Sequence, residues 1–171
     1  MTTVRTATAG DARGIAEVHV DTWRAAYVGV MPQQTLDALD VDERQRLWQR
    51  YVAAEGFAVF VAEREAGIVG FVSVGSCREL DDTGELFAIY VHPDAWGTGA
   101  GLALMEAGVE WLAARWPEAV LWVAEENPRA RRFYERYGWT ADASRVEEVA
   151  PGAFVLEVRY RLSGFDGHPS P

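Results

Sequence analysis

The feature that most constrains the fold of this chain is a strand that runs into a glycine-rich turn and then into a helix. Residues 86–91, Leu-Phe-Ala-Ile-Tyr-Val, form a strand-like apolar run, and glycines follow at positions 97, 99 and 101. A helix with one apolar side is expected from about 101 to 115. The first N–H groups of a helix lack partners within it and attract anions, and glycines let an anion approach the backbone closely. The segment therefore predicts a phosphate site on an α/β scaffold.

Two common phosphate-binding motifs do not fit this segment. A P-loop needs a lysine after its glycines, and all 16 basic side chains of this chain are arginines. A dinucleotide-binding fingerprint needs a third glycine where Leu102 stands. An oxidoreductase domain is therefore poorly supported. A turn that is merely rich in glycine remains an alternative if the glycines are considered alone.

The rest of the chain alternates between helical and strand-like patterns. Asp40 and Glu43 have capping-box spacing, Asn127-Pro128 is typical of a helix start, and Gly138 suits a helix end. We expect helices over about 11–27, 41–53 and 128–137, and strands over 4–8, 57–63, 68–74, 119–123, 138–141 and 153–162. This order predicts helices that cover a central mixed sheet. We expect one domain over residues 1–162 and a flexible tail over 163–171.

Composition excludes several classes of partner. The formal net charge of −10 repels phosphate backbones, so we expect no binding of nucleic acid. No apolar run reaches the ~18 residues of a membrane span, and no signal peptide is recognised. Cys77 is the only cysteine, which favours a cytoplasmic location, and we expect it to be a core or strand residue rather than a nucleophile. No His/Cys/Asp spacing suggests a metal site.

Two motifs together resemble one family. Residues 85–101 resemble the acyl-CoA-binding motif of the GCN5-related N-acetyltransferase (GNAT) superfamily: a strand ending in V-x-P, then Q/R-x-x-G-x-G/A, then a helix. Residues 127–139 resemble its second half, N-x-x-A-x-x-x-Y-x-x-x-G-F/W. The resemblance extends from Val4 to about Leu162. It implies a mostly antiparallel seven-stranded sheet, splayed between the fourth and fifth strands and flanked by about four helices.

The same resemblance implies acetyl-CoA as co-substrate and assigns residues to it. The backbone of Ile89, Tyr90 and Val91 would bind the pantetheine arm and the acetyl carbonyl, and Asn127 would contact the arm. The pyrophosphate would lie on backbone amides of Gly97, Thr98, Gly99, Ala100, Gly101 and Leu102. Trp96 departs from the motif, since it occupies the Gln/Arg position, and it is still expected among the cofactor-binding residues. The arginines at 129, 131 and 132 could reach an outer phosphate, although we expect them on a solvated helix face.

The implied reaction is direct transfer of the acetyl group to a primary amine in a ternary complex. Tyr134 would protonate the departing thiolate, and Glu85 would accept the proton of the amine. A solvated acid at the strand end is the alternative for Glu85. Some relatives place a glutamate five residues before the asparagine, where this chain has Trp122. The amine could belong to a small molecule, an amino acid, an antibiotic or a peptide N-terminus.

The acceptor site is expected near the first helices. Trp23 and Tyr27, together with Glu85, are the expected substrate-binding residues, and Trp48 and Tyr51 lie in the same region of sequence. Core packing is the alternative for such an aromatic face. The acidic segment 79–85 would attract a cationic amine, or form a solvated loop. A non-catalytic acyl-CoA-binding sensor on the same fold is the alternative function, and the family also suggests a homodimer.

Overall fold

A computed structural model describes residues 1–165 of the 171-residue chain. Seven strands form one sheet in the order β1-β2-β3-β4-β5-β7-β6: β1 (Thr3–Thr6), β2 (Phe57–Arg64), β3 (Gly67–Ser76), β4 (Thr83–Val91), β5 (Glu118–Ala124), β6 (Thr140–Ala150) and β7 (Ala153–Ser163). The helices are α1 (Ala12–Ala26), α2 (Gln33–Asp37), α3 (Val41–Val52), α4 (Ala100–Ala113) and α5 (Pro128–Tyr137). The mostly antiparallel sheet is confirmed, because β4 and β5 alone form a parallel pair among the described strands. About four helices are expected, with Pro32 in the first turn of one of them; the described chain has five, and α2 is the short helix that follows Pro32.

Side chains at the helix ends explain where the helices begin and stop. The Asp40 carboxylate accepts the Glu43 N–H at 2.7 Å and starts α3. The Asn127 side-chain oxygen accepts the Ala130 N–H at 3.1 Å and starts α5. Gly138 ends α5 with a φ of 116°, a left-handed conformation that favours glycine. These predicted boundaries are confirmed.

Helices cover the two faces of the sheet and create two apolar clusters. Leu104 of α4 packs with Val72 on one face, while Ile15 of α1 and Trp48 of α3 pack with Phe71 on the other. Phe71 and Val72 are neighbours on β3, so the strand alternation sends them to opposite faces. The sheet is therefore buried on both sides at β3 and β4, where the cofactor motif lies.

Three differences from the predicted boundaries matter most for the site and the tail, and the other elements differ by two residues or fewer at each end. β6 runs from Thr140 to Ala150 rather than over 138–141, because ion pairs with β7, such as Arg145–Glu157 at 3.0 Å, stabilise a polar edge strand that its composition did not reveal. β4 begins at Thr83, so the predicted loop through Glu85 ends sooner. Ser163 closes β7 and Phe165 packs against the core, whereas the rest of the predicted tail lies outside the described residues.

The sheet opens between β4 and β5. The two strands pair over four positions, from Thr83 opposite Glu118 to Leu86 opposite Leu121. Beyond Leu86, β4 continues to Val91 without a partner on this side, and β5 diverges towards Ala124. The expected splay between the fourth and fifth strands is confirmed, and it creates a wedge-shaped gap in the middle of the sheet.

Candidate active site

A cavity of about 620 Å³ occupies the gap between β4 and β5. It brings together thirteen of the fifteen residues that the sequence assigned to the site: Trp23, Tyr27, Glu85, Ile89, Tyr90, Val91, Trp96, Gly97, Gly99, Gly101, Leu102, Asn127 and Tyr134. Thr98 and Ala100 do not line it. The Thr98 hydroxyl donates to the Ala95 carbonyl at 2.7 Å, and Ala100 is fully buried in the core. The cavity thus joins the two sequence motifs at one place.

The backbone of β4 presents free hydrogen-bonding groups to this cavity. The His92 N–H donates to the Val69 carbonyl on β3 at 2.8 Å, which fixes the alternation of the ladder. In an antiparallel ladder every second residue bonds to the neighbouring strand, and the residues between point their N–H and C=O groups the other way. Those residues are Ile89 and Val91. Since β5 no longer pairs there, their backbone groups face the cavity.

The backbone of Tyr90 is oriented differently from those of Ile89 and Val91. Its backbone belongs to the set that bonds to β3, opposite Phe71, so it lines the cavity with its side chain instead. The Val91 carbonyl is also occupied, because it accepts the Trp96 indole N–H at 2.7 Å. The groups left for a ligand are both backbone groups of Ile89 and the N–H of Val91.

A β-bulge in β4 determines where Glu85 points. Phe87 has no partner on β3, because the residues on either side of it pair with two consecutive β3 residues. The extra residue reverses the alternation along the strand. Leu86 therefore packs in the core with α4, while Glu85 lies on the face shared with Tyr90 and α1. The bulge thus places a carboxylate on the acceptor side of the gap.

The glycine-rich turn at the other end is built to receive an anion. Gly97 and Gly99 have φ values of 73° and 87°. At either position, no described atom other than those of the glycine and its adjacent residues lies within 4 Å of where a Cβ would stand. The Ala103 N–H donates to the Gly99 carbonyl at 3.0 Å as α4 begins. The N–H groups that precede it in the first turn have no acceptor within the helix: Ala100, Gly101 and Leu102. These donors fit the predicted phosphate site.

Of the arginines at 129, 131 and 132 of α5, two make specific contacts. Arg129 lines the cavity, and its guanidinium carbon lies 3.2 Å from the centroid of the Trp96 ring. Arg131 donates to the Tyr160 hydroxyl at 3.0 Å. Arg129 and Arg132 are both exposed, as expected, and Arg131 is partly buried.

Tyr134 and Asn127 meet at the wall that α5 contributes. Tyr134 is buried, and its ring lies 6.1 Å from that of Tyr160. Burial raises the pKa of the Tyr134 hydroxyl well above its usual range, so it remains a hydrogen-bond donor at neutral pH. The Asn127 oxygen is used as the helix cap, which leaves its NH2 group for a ligand.

Glu85 is half-buried beside Cys77. Burial raises the pKa of the Glu85 carboxyl above its usual value, while the Cys77 thiol and Arg145 oppose this shift. A carboxylate with a raised pKa accepts a proton more readily, as a general base must. Cys77 follows β3, and burial raises the pKa of its thiol, which therefore stays protonated at neutral pH.

Sequence reasoning missed a charged group at the acceptor end. Glu157 of β7 and Arg145 of β6 both line the cavity and bond to each other at 3.0 Å, and Arg145 stacks 4.0 Å from the centroid of the Trp122 ring. Burial raises the pKa of the Glu157 carboxyl, and Arg145 counteracts it. The alternation of charged residues along β7 is visible in the sequence. Whether Glu157 faces the cavity, however, depends on the order of the strands in the sheet.

The predicted aromatic residues divide into two groups. Trp23 and Tyr27 line the cavity with ring centroids 5.0 Å apart. Trp48 is buried, and its indole N–H donates to His19 Nδ1 at 3.1 Å. Tyr51 packs beside Trp48. Core packing is therefore the observed role of Trp48.

Two kinds of feature are absent from residues 1–165. No group of three His, Cys, Asp or Glu side chains in this part of the chain could hold a metal ion. None of its helices is both long and apolar enough to cross a bilayer.

Comparison with known proteins places the chain in a family. Residues 17–139 match the model of the acetyltransferase (GNAT) family. The N-acetyltransferase YuaI of Bacillus subtilis is 39% identical over 162 residues, which cover 92% of this chain and 91% of YuaI. The mycothiol acetyltransferase of Streptomyces griseus is 37% identical over 118 residues, which cover 68% of this chain and only 37% of that protein.

Solved structures share the fold. PaiA N-acetyltransferase from Thermoplasma acidophilum, in complex with coenzyme A, has a TM-score of 0.72 at 17% identity and covers 92% of this chain and 98% of its own. YncA from Salmonella typhimurium, with acetyl-CoA, has a TM-score of 0.74 at 23% identity, and the match covers 99% of this chain and 97% of the YncA chain. These structures confirm the predicted fold. The family match and YuaI confirm the N-acetyltransferase class. The chain belongs to the acetyltransferase (GNAT) family.

Proposed function

We propose that this protein transfers the acetyl group of acetyl-CoA to a primary amine by direct attack while both substrates occupy the cavity. The observation that carries the proposal is the free β4 backbone at Ile89 and Val91, which lies between an anion-binding turn and a carboxylate, Glu85. The pantetheine arm would lie along β4 and the pyrophosphate on the turn over residues 97–102. The acetyl carbonyl would accept one of the free β4 N–H groups, which stabilises the oxyanion.

The proposed chemistry needs one proton acceptor and one donor. The amine nitrogen attacks the thioester carbon, the C–S bond breaks, and coenzyme A leaves as a thiolate. Glu85 takes the proton that the amine loses, since burial has already made its carboxylate more basic. Tyr134 donates to the thiolate. Because its pKa is raised above that of a thiol, near 8.5, Tyr134 acts first as a hydrogen-bond donor and contributes modestly as an acid.

Charge at the acceptor end favours a cationic amine. Arg145 is shared by three carboxylates, with N–O distances of 2.6 Å to Glu79, 3.5 Å to Glu147 and 3.0 Å to Glu157. One guanidinium cannot neutralise three carboxylates, and Glu85 adds a fourth nearby. The aromatic walls at Trp23 and Tyr27 would also favour a cation. We propose that Trp23, Tyr27, Glu85 and Glu157, which line the cavity, bind the acceptor, while the other two carboxylates only add negative charge nearby.

Location and assembly are also proposals. We place the protein in the cytoplasm because it carries a single cysteine, whose thiol is free. For a homodimer, the support is an apolar patch on the β6–β7 hairpin, where Val146, Phe154 and Leu156 are exposed and Val146 stands opposite Leu156. Light scattering coupled to size exclusion would test this, with Phe154→Ser as the variant expected to dissociate a dimer.

Titration with acetyl-CoA, followed by an amine screen, tests the function. At 100 times its Kd, acetyl-CoA should stabilise the fold by about 2.7 kcal/mol, which raises Tm by roughly 5–11 °C. NAD serves as the comparator and should give no shift. Thiol release with a panel of monoamines, diamines, amino acids and peptides then identifies the acceptor. Binding without turnover of any amine would favour the acyl-CoA sensor, and no binding at millimolar acetyl-CoA would refute both functions.

A further inference from the structure

One arginine at the cofactor end of the cavity has an aromatic ring as its partner. The guanidinium of Arg129 lies over Trp96 with 3.2 Å between the guanidinium carbon and the ring centroid. Within residues 1–165, no carboxylate lies within 4 Å of the Arg129 guanidinium. Partial burial, which lowers the pKa of this group, is the one influence on that pKa. Arg131, two residues later, is instead bonded to Tyr160. The ring covers one face of the Arg129 guanidinium and leaves its edge of N–H donors free.

Trp96 is itself held in place. Its indole N–H donates to the Val91 carbonyl at 2.7 Å, so the ring is anchored to the end of β4. A guanidinium stacks well on such a ring and keeps its planar fork of donors for a bidentate acceptor, which a lysine cannot do. The pair therefore works as a fixed platform with a charged group on it.

The platform faces the same space as the glycine-rich turn. Arg129 is the second residue of α5, and Trp96 directly precedes Gly97, so the pair spans from one cofactor motif to the other. Both side chains line the cavity together with Gly99 and Gly101. An anion that accepts the free N–H groups at the start of α4 would lie within this space.

The family motif has glutamine or arginine where this chain has Trp96. The indole uses its one N–H on Val91, so it has no donor left for a ligand. A chain with a net charge of −10 also needs local positive charge to hold a polyanion. Arg129, on the neighbouring helix α5, supplies both the hydrogen-bond donors and the positive charge.

We propose that Arg129, positioned by Trp96, binds a phosphate of acetyl-CoA and replaces the side chain that the motif usually has at position 96. The inference rests on the proposed binding of the cofactor in this cavity. The pyrophosphate and the 3′-phosphate of coenzyme A share the required chemistry. Binding of 3′-dephospho-CoA separates these two sources.

Calorimetric titration of the full chain with coenzyme A tests the proposal. Arg129→Gln should weaken binding about 10- to 100-fold, the usual effect of losing a charge-assisted hydrogen bond. Arg132→Gln removes the same charge from an exposed site on the same helix and should change the Kd less than about twofold. If the loss persists with 3′-dephospho-CoA, the ligand is the pyrophosphate; if it disappears, the ligand is the 3′-phosphate. Unchanged Tm of both variants controls for folding.

A second variant tests the exchange of roles. Trp96→Arg added to Arg129→Gln restores the usual side chain of the motif and should recover most of the lost affinity. Equal Kd values for Arg129→Gln and Arg132→Gln would overturn the proposal, and no recovery in the double variant would refute the replacement of the motif side chain. Failure of the wild-type protein to bind coenzyme A would instead contradict the proposed function, so the two failures are distinguishable.

Discussion

Replacing Glu85 by glutamine removes the proposed base while it preserves size and hydrogen bonding. A positioned general base contributes about 10²–10⁴-fold to the rate, or about 2.7–5.4 kcal/mol. We expect a loss of kcat/KM towards the lower part of this range, because the half-buried site lets water accept the proton in part. The loss should be largest near neutral pH and should shrink at high pH, where the free amine is already abundant.

The pH profile follows from the direction of the pKa shift. Burial raises the pKa of Glu85, so the carboxyl is protonated and inactive below that pKa and becomes a base as the pH rises through it. The wild-type rate should therefore have an acidic limb that lies above the ordinary pKa of a glutamate, about 4.3. The same shift means that the ionised group costs folding stability above its pKa, so Glu85→Gln should not lower Tm at pH 7.

Thiol release measured from pH 5 to 9 with saturating acetyl-CoA and varied amine is the assay. Glu79→Gln is the matched control, since it removes a neighbouring carboxylate that is 55% exposed and outside the cavity lining. We expect the control to raise KM slightly and to keep the acidic limb. An unaltered pH–rate profile in Glu85→Gln would refute the assignment of Glu85 as the general base. Loss of the acidic limb in Glu157→Gln would instead indicate that Glu157 of β7 is the base.

Three further predictions concern the thiolate donor, the sheet and the N-terminal region. Tyr134→Phe should lower kcat about tenfold with little change in the Kd for acetyl-CoA, and equal kcat values where chemistry limits turnover would remove its donor role. Gly84→Ala should destabilise the fold by about 1–3 kcal/mol, because the added Cβ would stand 2.6 Å from a methyl carbon of the buried Leu112. This corresponds to a fall in Tm of roughly 2–12 °C. A Tm equal to that of the wild type would contradict this packing argument. Arg5 lowers the pKa of Asp11 through bonds of 2.8 and 2.9 Å, so this pair stabilises the fold above about pH 4 and the benefit is lost on acidification. Asp11→Asn should therefore cost about 1–3 kcal/mol in urea unfolding at pH 7, and this cost should shrink progressively as the pH falls from about 4 to about 2. A cost that stayed constant over this range would argue against an ionic contribution.

The sequence predicted the cofactor end of the site better than the acceptor end. The turn with Gly97 and Gly99 is defined by local chemistry, because positive φ and free helix N–H groups depend on adjacent residues. Cap residues such as Asn127 act over three positions and were likewise predictable. The Arg129–Trp96 contact joins two motifs about 30 residues apart, so it needed the fold.

The acceptor end depends on long-range pairing. Glu157 faces the cavity because β7 lies between β5 and β6, an order that no local pattern determines. The length of β6 likewise comes from partners on β7. Trp48 and Trp23 each have a tyrosine close by in the sequence. Trp48 nevertheless packs in the core and Trp23 lines the cavity, because α3 and α1 meet the sheet at different places.

The bulge at Phe87 has a consequence for how such a protein changes in evolution. At their present separation of five positions, Glu85 and Tyr90 share a face of the sheet only because Phe87 is an extra residue. Deletion of Phe87 would restore regular pairing and leave Leu86 and Glu85 on their present faces, whereas insertion of one regularly paired residue between Phe87 and Tyr90 would turn Glu85 towards the core and Leu86 towards the substrate. The acidity of the acceptor side is therefore controlled by the length of one strand as well as by its residues, and an insertion alters that side without any change of side-chain identity.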